Sequence, residues 1–343
     1  MTLITMAQAM VRRTLQMNFS WDWPAAVAFY GVCCSLPLLP QDDAEQATGY
    51  LDVWLQKRLT RGIPRLTINT CAMGHVLLSL AQIKKSSDYL AVARELGQYL
   101  LREAPKFGEG VLEHTVAQDY QFHGQAWVDT LFMGAYFLLR LSRETQEAEF
   151  FDEAMRQYQW HEALLQDART NLFYHGWNDT EKNHLSSVFW GRGNAWAALT
   201  FAAALREFSP MYPQYMDLRD AVRDQLDSLA LWQTDEGFWR TIVDDPEAYE
   251  ESSATAGIAA AMLIFDDVEK SDAYHEYALK AWAGLQGRIV EGVLTGVSSG
   301  TAVMPHREDY KKIPHKRIQG WGQGLGLVFL SELFRTFQEE DPE

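Results

Sequence analysis

The sequence predicts an all-α chain in which six helical hairpins close into a ring, an (α/α)6 barrel, with short β-hairpin loops on one face. Three observations carry that prediction. Apolar residues recur at three- and four-residue spacing along nearly the whole chain, and strand-like alternation is brief. Connections alternate between short turns and longer segments that resemble one another. The helices assigned to the inside of the ring are rich in small residues, as in "ATAGIAAAM" and "GWGQGLGL", which lets backbones crowd around an axis.

The periodicity places helices at 2–17, 22–36, 42–59, 70–84, 87–104, 125–142, 147–165, 191–208, 212–230, 252–266, 271–287 and 320–337. The inner set begins near 22, 70, 125, 191, 252 and 320, and the N-terminal helix pairs with the last one to seal the ring. The long connections "GEGVLEHT" (108–115), "TNLFYHGW" (170–177), "DEGFWRTI" (235–242) and "EGVLTGVS" (291–298) read as short extended hairpins. The repeat is irregular, at roughly 45–70 residues, which disfavours a regular open solenoid. The expected organisation is a single catalytic domain over 1–343 with no linker.

A formal net charge of −16 over 343 residues argues against nucleic acid and anionic membrane as partners, since both ask for basic patches. Cys33 and Cys34 are adjacent and Cys71 stands alone, so no disulfide framework and no CxxC zinc pair arises. No basic segment precedes an apolar run at the N-terminus, and no apolar run reaches membrane-spanning length. The expectation is a cytoplasmic protein. No GxGxxG, P-loop, GxSxG or HExxH occurs, so no nucleotide, nucleophile-elbow or metal chemistry is indicated and no cofactor is expected.

In such a ring the inner helices start at one face, and their first turns converge. Those positions hold Trp21, Trp23, Asn69, Thr70, His123, Gln125, Asp129, Trp190, Arg192, Asn194, Trp196, Glu251, Ser252, Ser253, Trp321 and Gln323, with His114, His175 and Trp177 on the loops. Aromatic rings, amides and cations at one mouth suit a sugar. Arg192, between Gly191 and Gly193, is placed for planar recognition of a carboxylate. Asn69 is equally placed to cap a helix, and the tryptophans to fill core. Asp129 stands out in "WVDTLFMGAYFLL", a carboxylate one turn into an otherwise apolar helix. It is either a helix-start charge or an acid whose pKa burial has raised.

"INTCAMGHVLLSL", "WVDTLFM", "FYHGW" and "FWGRGNAW" resemble glycoside hydrolase family 105, the unsaturated rhamnogalacturonyl hydrolases. "ESSATAGIAAAM", "GVSSGTAV" and "GWGQGLGL" fit the later part of the same pattern, so the resemblance runs from about Trp21 to Leu327. It implies a six-fold α/α barrel, Asp129 as the catalytic residue, and a sugar site lined by Trp23, His175, Trp190, Arg192 and Trp196. Some relatives carry a second aspartate on the second inner helix, where this chain has Asn69.

The implied reaction removes a 4,5-unsaturated uronic acid from the non-reducing end of a lyase-generated oligosaccharide by hydrating its C4=C5 bond. One carboxylate can serve there, donating and then accepting, where ordinary glycosidases need two. Burial on an apolar helix is expected to keep Asp129 protonated. Alternatives are an unsaturated glucuronyl hydrolase acting on glycosaminoglycan fragments, an inverting glycosidase using Glu251 as second acid, and a non-catalytic sugar-binding barrel.

Overall fold

The computed structural model describes residues 2–116, 122–208 and 210–340. In chain order the helices are α1 (Leu3–Leu15), α2 (Trp23–Ser35), α3 (Gln41–Leu59), α4 (Ile68–Cys71), α5 (Gly74–Lys84), α6 (Ser87–Arg102), α7 (Phe137–Thr145), α8 (Ala148–Leu165), α9 (Gly191–Glu207), α10 (Pro213–Leu231), α11 (Ser252–Glu269), α12 (His275–Gln286), α13 (Arg307–Tyr310) and α14 (Gly320–Glu340). A π-helical turn, Leu131–Tyr136, leads into α7. Strands are short: β1 (Lys106–Phe107), β2 (Val111–Leu112), β3 (Gln125–Trp127), β4 (Gly176–Asn178), β5 (Ile289–Val290) and β6 (Val293–Leu294).

The ring closes as expected. α2 packs on α5, α5 on α7, the π turn on α9, α9 on α11, α11 on α14, and α14 back on α2. Each inner helix is backed by an outer one: α3, α6, α8, α10 and α12 follow their partners, and α1 backs α14. The α1–α14 seam is pinned by Gln323, whose Nε2 donates to Thr14 Oγ1 (3.2 Å) and to the Gly292 carbonyl (2.8 Å). α11 is buried on all sides from Ser252 to Asp266, as a helix inside a large core must be.

The small residues do what a crowded axis requires. A Cβ on Gly31 would lie 2.2 Å from the Gly324 carbonyl oxygen, and one on Gly324 would lie 2.1 Å from that of Val27. α2 and α14 therefore meet backbone to backbone, and no side chain fits between them.

Three expectations need correction. The helix expected over 125–142 begins later, because residues 125–127 form β3 and pair antiparallel with β4, Trp127 opposite Gly176. Cross-strand pairing outcompetes helix at that end, and Asp129 is the first helical residue instead of lying one turn in. The helix expected over 70–84 is broken into α4 and α5. Of the four long loops, 108–115 lies on the β1–β2 hairpin and 291–298 on the β5–β6 hairpin. The other two tie neighbouring repeats together, through β3–β4 and through the bridges Trp190–Ile242 and Arg240–Glu250. No helix among the described residues is long and apolar enough to cross a membrane.

Candidate active site

The β3–β4 pairing builds the site. It carries the chain from Trp127 to Asp129 alongside Gly176, and the Val128 N–H donates to the His175 carbonyl at 3.0 Å. His175 is thereby set beside Asp129, its Nε2 3.4 Å from Oδ2. That is longer than a formed hydrogen bond, and neither atom has another partner among the described residues. The Asp129 side chain keeps 13% of its surface exposed, although Oδ2 itself is buried. The π turn follows at once, a distortion that occurs often at functional sites.

Aromatic rings hold the two histidines of the site. His175 packs on Trp190 with ring centres 4.2 Å apart. His114 stacks on Trp127 at 4.4 Å, nearly parallel, and its Nδ1 pairs with Thr130 Oγ1 at 3.1 Å. On the far side of His175, Nδ1 meets the hydroxyl of Tyr310 at 2.7 Å.

Electrostatics reverses one expectation. Burial does push the Asp129 carboxyl upward, but His175, then His114 and Arg192, more than offset it. Its pKa lies below the ordinary carboxylate value, so the resting group is ionised and not held as the neutral acid. The Arg192 cation and the polar rings around it were not legible from an apolar helix.

Arg192 is held more tightly than its glycine-flanked setting suggests. A Cβ on Gly191 would meet the Arg240 carbonyl oxygen at 2.2 Å, so only glycine can start α9 there. The Arg192 guanidinium is buried over Trp190 (4.5 Å) and Trp321 (5.5 Å). It donates to Ser298 Oγ, to the Ser299 carbonyl (3.0 Å) and to Thr301 Oγ1 (3.1 Å), and lies 3.5 Å from Glu251 Oε1. Its fork is spent on the 298–301 loop, and its buried Nε lacks a partner among the described residues. In this state it braces the 298–301 loop and does not present itself to a substrate carboxylate.

The remaining expected residues divide. Trp23 is half-buried, stacked on Trp321 at 4.5 Å beside exposed Gly300. Trp190 is 1% exposed, between His175 and Arg192. Trp196 is completely buried against Phe132 (5.1 Å), so it cannot stack on a sugar here; the helical register turns it into the core. Asn69 does not cap α4, because Thr67 and Thr70 form a reciprocal capping box. The Asn69 backbone N–H donates to Thr115 (3.3 Å), while its buried side chain makes no hydrogen bond among the described residues. Glu251 caps α11, accepting from Ala254 N–H, Ser253 Oγ and Ser298 N–H, and is fully buried. Such a carboxylate is not available as the second acid of an inverting glycosidase.

Tyr310, Ser298 and Thr301 were missed by the expected site, although "GVSSGTAV" contains two of them. They lie in the irregular 296–319 segment, where no periodicity marks which side chains turn inward.

The profile of Glycosyl Hydrolase Family 88 matches residues 1–337. The chain belongs to this family. Unsaturated rhamnogalacturonyl hydrolase YesR of Bacillus subtilis (strain 168) is 44% identical over 328 residues, which cover 95% of this chain and 93% of that protein. A solved structure from Salmonella enterica subsp. enterica serovar Paratyphi A, described as a possible member of GH105 family, matches with a TM-score of 0.91 at 25% identity, over 98% of this chain and 94% of that one. The unsaturated glucuronyl hydrolase of Bacillus sp. GL1 has the same fold, with a TM-score of 0.77 at 16% identity, over 97% and 96% of the two chains. The resemblance to glycoside hydrolase family 105 and the barrel fold are borne out, and this family member is a glycoside hydrolase.

The histidines of this family member also set its acid sensitivity. Burial drops the pKa of His114 and of His161 to about 4. An unfolded chain protonates them near 6.5. Between those values the unfolded state binds protons that the folded state refuses, so stability is full above about pH 6.5 and falls toward pH 4. The melting temperature is expected to drop steadily from pH 7.5 to pH 5; a flat profile would show that both imidazoles protonate freely in the fold.

Proposed function

We propose that the whole chain acts as one catalytic unit that removes a 4,5-unsaturated uronic acid from the non-reducing end of a short oligosaccharide, with rhamnose next in the chain. The observation that carries this is Asp129, whose Oδ2 beside His175 has no hydrogen-bond partner among the described residues, while the carboxylates at two other inner-helix starts, Asp22 and Glu251, cap α2 and α11. One free carboxyl group fits hydration of a vinyl ether better than two-carboxylate glycoside hydrolysis. The 44% identity to an unsaturated rhamnogalacturonyl hydrolase supports the substrate class.

The substrate's own carboxylate enters beside Asp129. A like charge in a water-poor pocket raises the Asp129 pKa and lets it take up a proton. Asp129 delivers that proton to C4, and positive charge develops across C5 and O5. Water attacks C5 and gives its proton back to Asp129. The C5 hemiketal opens by breaking C5–O5, leaving a ketone at C5 and a hemiacetal at C1. That hemiacetal collapses to an aldehyde and releases the next sugar as an alcohol. His175 lies where it can orient the water or the uronate, and Trp23 offers a ring face to the sugar.

The acidic surface suits a short, singly charged oligosaccharide better than a polyanion, and the three free cysteines suit a reducing, cytoplasmic setting. The test follows the ultraviolet absorbance of the conjugated double bond in an unsaturated rhamnogalacturonan disaccharide. Loss of absorbance with release of rhamnose is the expected result. Loss only with an unsaturated glycosaminoglycan disaccharide would move the specificity, and no loss with any unsaturated uronide would overturn the reading.

A further inference from the structure

We propose that Tyr310 is a positioning residue that locks the neutral imidazole of His175 with its proton on Nε2, aimed at Asp129. The inference rests on the reading of Asp129 as the acid.

Three polar groups converge on one phenol oxygen. Tyr310 closes α13, and its ring is fully buried. Its oxygen accepts the Met304 N–H at 3.2 Å. Ser186 Oγ lies 3.3 Å away and His175 Nδ1 2.7 Å away. A phenol has one proton and two lone pairs to share. The arrangement that satisfies every group has Met304 and Ser186 donating to the oxygen, and the single phenolic proton going to the nearest acceptor, Nδ1. His175 then accepts at Nδ1, so its own proton sits on Nε2, 3.4 Å from Asp129 Oδ2. The opposite tautomer would set the Nε2 lone pair against an ionised carboxylate. Burial disfavours the doubly protonated ring, so the choice is between the two neutral forms.

The strap that carries Tyr310 is anchored for this. Arg307 pairs with Asp244 at 2.8 Å and Lys311 with Asp245 at 2.9 Å, on either side of the tyrosine. The groups acting on Asp129 come from every wall: His114 from the loop after β2, His175 from the loop before β4, and Arg192 from α9. Among the described residues, His175 is the ring that faces its Oδ2, and Tyr310 is the group that addresses the far nitrogen of that ring. With Nε2–H facing the carboxylate, the anion is favoured until substrate arrives, so Tyr310 sets the pH range in which Asp129 can serve as acid.

The test is Tyr310→Phe, which keeps the ring and removes one hydroxyl. Two readouts separate positioning from packing. The first is the 15N shifts of the His175 ring in the substrate-free protein. The parent is expected to show the Nε2–H form and the variant a mixture of tautomers. The second is the pH profile of kcat/KM on an unsaturated uronide that the parent hydrates. Weaker donation to Asp129 is expected to move the basic limb upward by about one pH unit, with kcat down about tenfold. A variant with parental 15N shifts and an unmoved limb overturns the proposal, whatever its activity. If the parent hydrates no unsaturated uronide, the proposed function fails, and the 15N experiment still decides the role of Tyr310.

Discussion

Asp129→Asn is expected to fold as the parent does and to lose about two to four orders of magnitude in kcat, the usual cost of deleting a general acid–base. The structure gives reasons for both halves. Asn has the shape of Asp, and Oδ2 makes no hydrogen bond that the fold depends on. What folding loses is the favourable company of the carboxylate: the neighbouring His175 and His114 rings and the Arg192 cation. Because those partners depress the folded pKa, that contribution is present above the ordinary carboxylate pKa and vanishes as pH falls through the lower folded value. The variant should therefore be slightly less stable at neutral pH and indistinguishable from the parent in strong acid. Catalysis loses everything that needs an exchangeable proton at that atom. Steady-state kinetics on the unsaturated disaccharide, together with a melting curve, checks both halves; activity within tenfold of the parent would remove Asp129 from the reaction.

The barrel was legible in the sequence because it rests on period and residue size. Helical spacing repeats through the chain, and "GWGQGLGL" announces a backbone contact such as Gly324 on Val27. Asp129, His175, Trp190 and Arg192 were legible as a set because each sits at an inner-helix start or on the loop that pairs with one. What the sequence hid is direction and electrostatic company. Trp196 follows Arg192 by four residues yet points into the core against Phe132. The β3–β4 ladder is a long-range pairing, so local periodicity read its first strand as helix. The sign of the Asp129 shift depended on His175, His114 and Arg192, which lie 46 residues after, 15 before and 63 after it and meet it only in the fold. Asn69 posed a choice between capping and ligand binding, and the threonine pair on either side of it has taken the cap.

Arg192→Leu is the second large effect, and it tests where that guanidinium acts. A carboxylate-binding arginine on a rigid wall would raise KM and leave stability alone. The structure predicts something else. Arg192 is the buried cation beside Glu251, and its fork ties down Ser298, Ser299 and Thr301. Removing it leaves a fully buried Glu251 with only neutral donors around it. Breaking a buried pair by deleting one partner costs about 3–5 kcal/mol. The 298–301 loop would also lose its anchor, and with it the seat of the Trp321 Nε1 bond to the Ser298 carbonyl. The melting temperature should fall sharply and kcat/KM with it. Arg192→Lys should recover little, because an ammonium cannot reproduce a planar fork that reaches three loop residues at once. Glu251→Gln becomes informative in the same light: it should destabilise as well, since it removes the matching charge and weakens the α11 cap, and its effect on rate follows from lost structure and not from lost acid–base chemistry. An Arg192→Leu protein as stable as the parent, with only KM raised, would show that the guanidinium turns toward the substrate when one is bound and that the loop holds itself in place.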